Sequence, residues 1–391
     1  MSKVQFKNTG KAISRLLDAK KRGEKIGIWG DYDPDGIPGA AVIRSAMLGA
    51  GFKPGNLTVI LPNIKRYNRS FNPVHLRLLK RKGVSLILGV DFGTADFAQV
   101  KMAHDMGFEI ILFDHHLQLP GKLPAILINH LQKGDRYPHK NWSGTGVAYK
   151  FFEAYYLDQK LDLAKLEKNI DLLALALIAD RIPVDSYNDK YIERGVHLLN
   201  RHTRPGLQAF LHLNDNDHIT RHQVMETFIS RFYPRRSNED NELYRLFTAK
   251  TQKAASRYAK ILNARFRAVR GEIDVSIQKG VNAYKAGART VVVLRVNMPS
   301  LASGMVAAVS EGLVEKIKIP VFVYKRQKNF FQGSGRAPLG SDFNLSKALD
   351  TCKDSMISYG GHPTAIGFRF KGSKEKKFQK AVQEYFNNLS R

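Results

Sequence analysis

Five short apolar runs punctuate the first third of the chain: Lys25–Trp29, Leu57–Leu61, Val84–Val90, Glu109–Phe113 and Ala125–Ile128. Longer amphipathic segments, Gly39–Leu48, Pro73–Lys82 and Ala95–Met106, lie between them. Runs of this length predict strands, and the intervening segments predict helices. Strict strand–helix alternation leaves one economical arrangement, a parallel sheet with helices on both faces. From Ser143 to about Asn200 the pattern turns helical, and Asp171–Asp180 (DLLALALIAD) is apolar almost all round, as a buried helix is.

At 391 residues the chain is long enough for two or three domains. Thr220–Arg270 differs in composition, with 12 Lys/Arg against 4 Asp/Glu and no compact-core pattern. Within it, Asn238–Arg267 reads as one long helix with an intermittent stripe of Leu243, Phe247, Ala254, Tyr258 and Ile261. After Gly271 alternation resumes through Thr290–Val296, Leu301–Lys316, Val321–Lys325, Phe330–Ser334, Leu345–Cys352 and Lys374–Asn388. The expected class is α/β: an N-terminal parallel-sheet domain (1–205), a basic helical connector (206–270) and a smaller C-terminal α/β domain (271–391).

Lys and Arg outnumber Asp and Glu by 62 to 35, a net charge of +27. That excess calls for a polyanion such as nucleic acid, or an anionic membrane surface. No stretch approaches the roughly 18 apolar residues of a membrane span, and the N-terminus lacks a signal-type apolar core. The single cysteine, Cys352, excludes an intrachain disulfide framework and a thiolate zinc cage. The expectation is a cytoplasmic protein with a phosphate-rich partner and no membrane.

The chemistry clusters at the ends of the predicted strands. Gly30-Asp31-Tyr32-Asp33-Pro34-Asp35-Gly36 follows the first, Asp91 the third and Asp114-His115-His116 the fourth, while Asp180 ends the buried helix. In an open α/β sheet, ligands bind beyond the carboxyl ends of the strands, so these distant groups can converge. Converging carboxylates repel one another unless cations neutralise them. Oxygen ligands with one or two imidazoles suit Mn²⁺ or Mg²⁺. Each segment alone reads equally well as an ordinary turn, cap or surface feature; their order and placement together do not.

The run GDYDPDG (30–36), VDFG (90–93), DHH (114–116), SGTGVAY (143–149), ALIADRIPV (176–184), GSGR (333–336) and GGHPTAIGF (360–368) resembles the DHH phosphoesterase superfamily. The resemblance is greatest to its RecJ-like branch of single-strand-specific exonucleases, and the C-terminal region resembles the DHH-associated domain. It implies that Asp33, Asp35, Asp91, His115 and Asp180 hold two Mn²⁺ ions, with Mg²⁺ as the alternative and Asp91 as the bridge. It implies catalytic roles for Asp31 and Asp114, as ligands or as groups just outside the ligands, and for His116, as a contact to the scissile phosphate. In the second domain Gly333, Ser334, Gly335, Arg336, Gly360, Gly361 and His362 become the substrate-binding set. Glycines admit close phosphate approach in a turn, and Arg offers a bidentate fork.

Basic residues near Lys65, Arg66 and Arg69, and in the connector, are candidates for the entrance; Tyr67, Phe71, Phe232 and Tyr233 are candidates for base stacking. Three departures stand out. Trp29 replaces a His found in some relatives, Gly312 replaces a frequent Arg, and the connector's glycine-rich arginine motif reads Ser230-Arg231-Phe232-Tyr233-Pro234-Arg235-Arg236. No room remains after Phe370 for the OB-type domain of full-length bacterial members, so a minimal nuclease core is expected.

The resemblance therefore implies a metal-dependent phosphodiesterase, a 5′→3′ exonuclease that releases mononucleotides by two-metal-activated attack of water. Its partner is single-stranded nucleic acid, DNA ahead of RNA; the oligomeric state is open. One alternative is a superfamily enzyme for short oligoribonucleotides or cyclic dinucleotides. The other is an inactive nucleic-acid-binding scaffold, against which the retained carboxylates argue, since they would repel that ligand.

Overall fold

A computed structural model describes residues 5–62, 70–118, 121–201, 204–213, 218–224, 228, 241–286, 292–296, 305–327, 329–338 and 340–389. Its contacts divide the chain into two compact units, Met1–Asn263 and Ala264–Arg391.

The first unit opens with α1 (Thr9–Arg22), then alternates β1 (Lys25–Gly30), α2 (Gly36–Gly49), β2 (Leu57–Ile60), α3 (Pro73–Arg81), β3 (Val84–Val90), α4 (Phe97–Asp105), β4 (Glu109–Phe113) and β5 (Ile126–Ile128). All pairings are parallel, in the order β2-β1-β3-β4-β5. The strands are apolar on both sides because both sides are covered. Ile26, Ile28, Leu86, Leu88, Ile111 and Phe113 join one core, and Trp29, Ile87, Ile110 and Leu112 join the other. The strand order reverses between β1 and β3, and that switch point opens a crevice at the carboxyl edge of the sheet.

Helices complete the larger core: α5 (Gly144–Asp158), α6 (Ala164–Glu167), α7 (Ile170–Ala179), α8 (Asp189–Asn200), α9 (Pro205–His212), α10 (Arg221–Val224) and α11 (Glu242–Thr248). α7 is buried nearly all round, as its composition requires. Inside that core Asp171 is fully buried and held by Arg204, at 2.7 Å from Nε and 3.0 Å from Nη2.

The connector departs from expectation. Its helix does not run from Asn238 to Arg267: α11 ends in extended backbone at Ala249, and a new helix, α12, spans Gln252–Lys285. Gly271 does not start the second domain but lies inside α12. The stripe Val269, Ile273, Ile277 and Val281, four residues apart, carries the helix onward into the second core. Arg235, Arg236 and their neighbours, with Lys65, Arg66, Tyr67, Arg69, Phe232 and Tyr233, lie outside the described residues.

The second unit pairs β6 (Val292–Arg295), β7 (Val321–Arg326), β8 (Phe330–Arg336), β9 (Met356–His362) and β10 (Ala365–Lys371) in the order β6-β7-β8-β10-β9. Only β6 and β7 are parallel. α13 (Val306–Ile317) packs with α12 on one face. α14 (Leu345–Asp350) and α15 (Glu375–Leu389) join the aromatic core on the other. Gly312 has a packing reason: a Cβ there would lie 2.5 Å from Ile277 Cδ1, so glycine lets α13 lie close against α12.

Candidate metal centre

Three carboxylates are set in register by the ladder itself. The Asp31 amide donates to Val90 O, the Asp91 amide to Phe113 O and the Asp114 amide to Ile128 O, each one residue beyond its strand. Neighbouring strands therefore deliver Asp31, Asp91 and Asp114 to one edge, straddling the switch point. Asp33 shapes the first loop, its Oδ1 accepting from the amides of Asp35 and Gly36 at 2.9 Å.

The N-terminus of α5 closes the site from the opposite side. Ser143 caps it, and the amides of Gly144 and Thr145 donate to the two Asp35 carboxylate oxygens at 2.6 and 3.0 Å. Amides at a helix start, with their partial positive charge, are a natural seat for an anion. Thr145 Oγ1 donates to Asp35 O as well. Gly144 touches the adjacent residue: a Cβ would lie 2.6 Å from Asp91 Cβ and 2.7 Å from its Cα. Asp91 has φ 68°, a left-handed conformation that Asp tolerates better than most residues.

His115 Nε2 lies 3.2 Å from Asp91 Oδ1, 3.5 Å from Asp180 Oδ2 and 3.9 Å from Asp35 Oδ2. Among the described residues, three groups have donor atoms within 4.8 Å of one another: Asp31 with Asp33 and Asp91; Asp35 with His115 and Asp180; and Asp91 with His115 and His116. Asp91 and His115 are each shared between two groups. Hard oxygens with imidazole and no thiolate fit Mn²⁺ or Mg²⁺, and two overlapping sites fit a pair of ions.

The electrostatics point the same way. Burial, then the carboxylates of Asp35, Asp33, Asp31 and Asp114, pushes Asp91 well above the usual carboxylate range. Burial followed by Asp35 and Asp33 raises Asp180 to about 7. Burial lowers His115, outweighing the surrounding carboxylates. Such acids keep their protons until a cation replaces them.

Asp114 behaves differently. Although fully buried, which alone would raise it, its carboxyl is held well below the usual range by His116 and Thr94. One oxygen accepts from the Thr94 amide at 2.8 Å. The other takes the His115 amide at 2.8 Å and lies 2.7 Å from His116 Nδ1. It belongs to none of the three ligand groups and orients the His116 ring instead. Asn129 extends this support, donating to His116 O at 2.9 Å and to Thr94 Oγ1 at 3.2 Å. Thr94 and Asn129 were not singled out from sequence, and Thr145 stood there only as part of the SGTGVAY motif, with no role assigned. Only the Ser143 cap ahead of paired glycines carried a local signal, that of a helix start.

Trp29 is fully buried, its ring against Phe71, His75 and Phe92. Asp31, two residues on, supplies a carboxylate to the group with Asp33 and Asp91. Phe71 is 2% exposed, which removes it as a base-stacking candidate.

The second unit corrects the expected glycine turn. Gly333-Ser334-Gly335-Arg336 is not a turn after a strand but the second half of β8, paired with both β7 and β10. Gly333 and Gly335 face the core: a Cβ would lie 2.5 Å from the Phe368 ring or 3.0 Å from Ile366 Cγ2. Their backbone is engaged in ladders, so packing accounts for these glycines. Arg336 reaches the half-exposed end of β8, its guanidinium 2.6 Å from Glu311 Oε2 and 2.9 Å from Ser334 Oγ. Gly360 and Gly361 likewise lie within β9, just ahead of β10; His362 ends β9, and its side chain is outside the described residues.

Carboxylates and imidazoles gathered at the switch point of a five-stranded parallel sheet match a known domain class: residues 25–178 match the DHH family, N-terminal domain. Over nearly its whole length the chain is similar to proteins named single-stranded-DNA-specific exonuclease RecJ. It is 28% identical to that of Bacillus subtilis (strain 168) over 399 residues, 98% of this chain and 48% of the relative. It is 26% identical to that of Escherichia coli (strain K12) over 413 residues, 97% of this chain and 69% of the relative. The fold matches the crystal structure of RecJ in complex with Mn²⁺ from Thermus thermophilus, with TM-score 0.78 and 22% identity over 98% of this chain and 55% of that one. The chain thus spans about half the length of the Bacillus relative. Among the described residues, no helix is long and apolar enough to cross a membrane.

Proposed function

We propose that this chain is a divalent-metal-dependent phosphodiesterase that hydrolyses single-stranded nucleic acid, DNA in preference to RNA, as a 5′→3′ exonuclease releasing mononucleotides. The observation that carries the reading is the overlap of the three donor groups through Asp91 and His115. The relatives' printed names supply the substrate class. A cavity of about 430 Å³ lined by Arg44, Arg245 and Lys250 adds to the positive surface of the first unit.

In this reading Asp33, Asp35, Asp91, His115 and Asp180 would hold two divalent ions, Asp91 being the carboxylate that two donor groups have in common, with Asp31 beside them. Divalent ions held there would supply Lewis acidity for activating water and offsetting negative charge at the phosphate. The chain's own groups do the rest. The α5 amides fix the Asp35 carboxylate in one orientation. Asp114 holds the His116 ring by Nδ1 and so orients it for contact with a phosphate oxygen. Arg336 on the second unit is a phosphate contact, its fork suited to bidentate pairing.

The test offers end-labelled single-stranded DNA, RNA and a dinucleotide to wild type and Asp91→Ala with Mn²⁺, then with chelator. The wild type is expected to produce a mononucleotide ladder from the 5′ end of DNA that chelator abolishes, and the variant none. Turnover by the variant equal to wild type on any of these substrates removes the two-metal reading. Cleavage confined to the dinucleotide replaces the exonuclease with a short-substrate enzyme.

A further inference from the structure

The cavity that Arg44, Arg245 and Lys250 line has a make-up that packing alone does not explain. It lies against β2, the outer strand of the parallel sheet, which pairs only with β1. Alternate residues of a strand share a face, so Leu57, Val59 and, just past the strand's end, Leu61 present one apolar wall. Val59 and Leu61 stay half-buried at the edge of the larger core, where they line the cavity. The other walls are α2, through Arg44, and α11, through Tyr244 and Arg245. α11 is fixed from behind: Arg204 Nη1 donates to Phe247 O at 2.9 Å, and Gly206, without a Cβ, lies directly against Leu246 O. The chain then leaves the helix in extended backbone at Ala249, and Lys250 joins the lining.

Three cations thus share one cavity, and no carboxylate is among the residues that line it. Like charges on a partly buried surface repel one another and call for a counter-ion. The protein supplies none to two of them: among the described residues, Arg44 and Lys250 form no salt bridge. Arg44 is moreover half-buried, so its guanidinium is not simply solvated surface. Burial, partly offset by Arg44, raises the Tyr244 hydroxyl to about 12, and it remains a hydrogen-bond donor at neutral pH. Guanidinium and ammonium groups recognise phosphate, and an apolar wall beside an aromatic ring receives a flat ring. The volume, about 430 Å³, lies in the lower part of the roughly 300–1,000 Å³ range of small-ligand sites, room for one nucleotide and not for a run of them.

We propose that this cavity is a binding site for a nucleoside 5′-monophosphate, its phosphate held by Arg44, Arg245 and Lys250 and its base set against Val59, Leu61 and Tyr244. The site is separate from the metal centre, since Arg44 stands nine residues along α2 from Asp35, about 13 Å at 1.5 Å per residue. The ligand is of the class released by the hydrolysis proposed above. The inference rests on that reading for the source of the ligand, and on the cavity itself for its chemistry.

The experiment uses the full chain in chelator and reads the binding of labelled deoxyadenosine 5′-monophosphate by equilibrium dialysis. Without metal the crowded carboxylates of the centre repel phosphate, so the cavity is read alone. The wild type is expected to bind one equivalent, with deoxyadenosine and inorganic phosphate each competing at least tenfold less well. Arg44→Gln and Lys250→Gln should each weaken binding about tenfold or more, as loss of a charge-assisted contact to phosphate does. Lys250 is exposed, so its variant keeps the fold even where Arg44→Gln does not, and urea denaturation checks both. Arg336→Gln, on the second unit, should bind the nucleotide as the wild type does. No binding by the wild type, or wild-type affinity in both cavity variants, overturns the site. Loss confined to Arg336→Gln also overturns it, by moving the ligand to the second unit. Equal competition by inorganic phosphate reduces the cavity to an anion niche and refutes the nucleotide. Displacement by a twenty-nucleotide oligothymidylate at equal or lower concentration gives the cavity to the polymer instead. Because nothing is cut, failure of the wild type to hydrolyse DNA with Mn²⁺ sinks the phosphodiesterase reading and leaves the dialysis result standing. Absence of nucleotide binding in a protein that cuts DNA sinks the site alone.

Discussion

Replacing Gly144 with alanine adds one methyl group at the point where α5 meets the strand-end carboxylates. The new Cβ would sit 2.6 Å from Asp91 Cβ, 2.7 Å from its Cα and 3.0 Å from its N. Ordinary carbon contacts lie near 3.5–4.0 Å, so roughly 1 Å of separation must be found. It cannot come from a flexible side-chain tip, because the clashing atoms are backbone or attached to it. Either Asp91 withdraws, or the start of α5 moves and its amides leave the Asp35 carboxylate. Overpacking of this kind costs about 1–3 kcal/mol of stability. The functional cost is larger, since a 1 Å error in a catalytic array costs on the order of a hundredfold in rate.

A matched control separates geometry from glycine chemistry. Gly271, inside α12, has nothing within 4 Å of the position a methyl group would take, so alanine there should stabilise by about 0.5–1 kcal/mol and leave activity alone. The assays are urea denaturation, calorimetric titration with Mn²⁺ and initial rates on labelled single-stranded DNA. Gly144→Ala is expected to bind Mn²⁺ weakly and to lose about two orders of magnitude in rate, with a folded baseline retained. Wild-type Mn²⁺ affinity and rate in Gly144→Ala would show that the contact with Asp91 does not shape the centre.

Asp114→Asn should keep its Mn²⁺ content while the rate falls about 10–100-fold, because the His116 ring loses its anionic partner; metal analysis beside kinetics checks this. In the metal-free protein Asp180 is raised from 3.8 to about 7, so the folded state holds its proton more tightly than the unfolded state. The associated stability is complete below about pH 4 and is lost as pH rises through 7; melts in chelator should show a decline over that window that is shallower in Asp180→Asn. Asp114, held low, contributes in the opposite sense only at more acidic pH and does not obscure the comparison. Arg204→Met strands the fully buried Asp171 carboxylate and should cost about 3–5 kcal/mol in urea denaturation.

Where sequence and structure agree, the cause is burial on both faces. β3 and β4 emerge with the expected ends, Val84–Val90 and Glu109–Phe113, since a strand covered from both sides needs an unbroken apolar run and stops where polarity returns. The first polar residue after such a run is then the group displayed at the edge, which is why Asp91 and Asp114 could be named at once. Their division of labour could not. It depends on the Thr94 amide and the His116 ring reaching Asp114, and on four carboxylates crowding Asp91, relations with no counterpart in spacing. The second unit was harder for a different reason. Glycine signals a turn when read locally, but Gly333 and Gly335 are glycine because the Phe368 ring and Ile366 leave no room, and Gly271 sits in a helix held by residues four apart on either side.

The metal centre is assembled so that its charge is unevenly resolved before any ion arrives. Asp35 accepts two amides at the start of α5, and Asp114 accepts three amides and lies beside the His116 ring, so both carboxylates are compensated by the protein itself. Asp91 and Asp180 lack comparable compensation, and burial beside the other carboxylates drives both towards the protonated form. A divalent ion entering here therefore exchanges with protons held mainly by Asp91 and Asp180, while the compensated pair keeps the frame rigid. That exchange predicts proton release on Mn²⁺ binding, largest near pH 6 and diminishing above the Asp180 value. Calorimetry in two buffers of different ionisation enthalpy measures it directly. Equal apparent enthalpies in the two buffers at pH 6 would mean that no proton leaves, and the crowding of Asp91 and Asp180 would not be the force that recruits the metal.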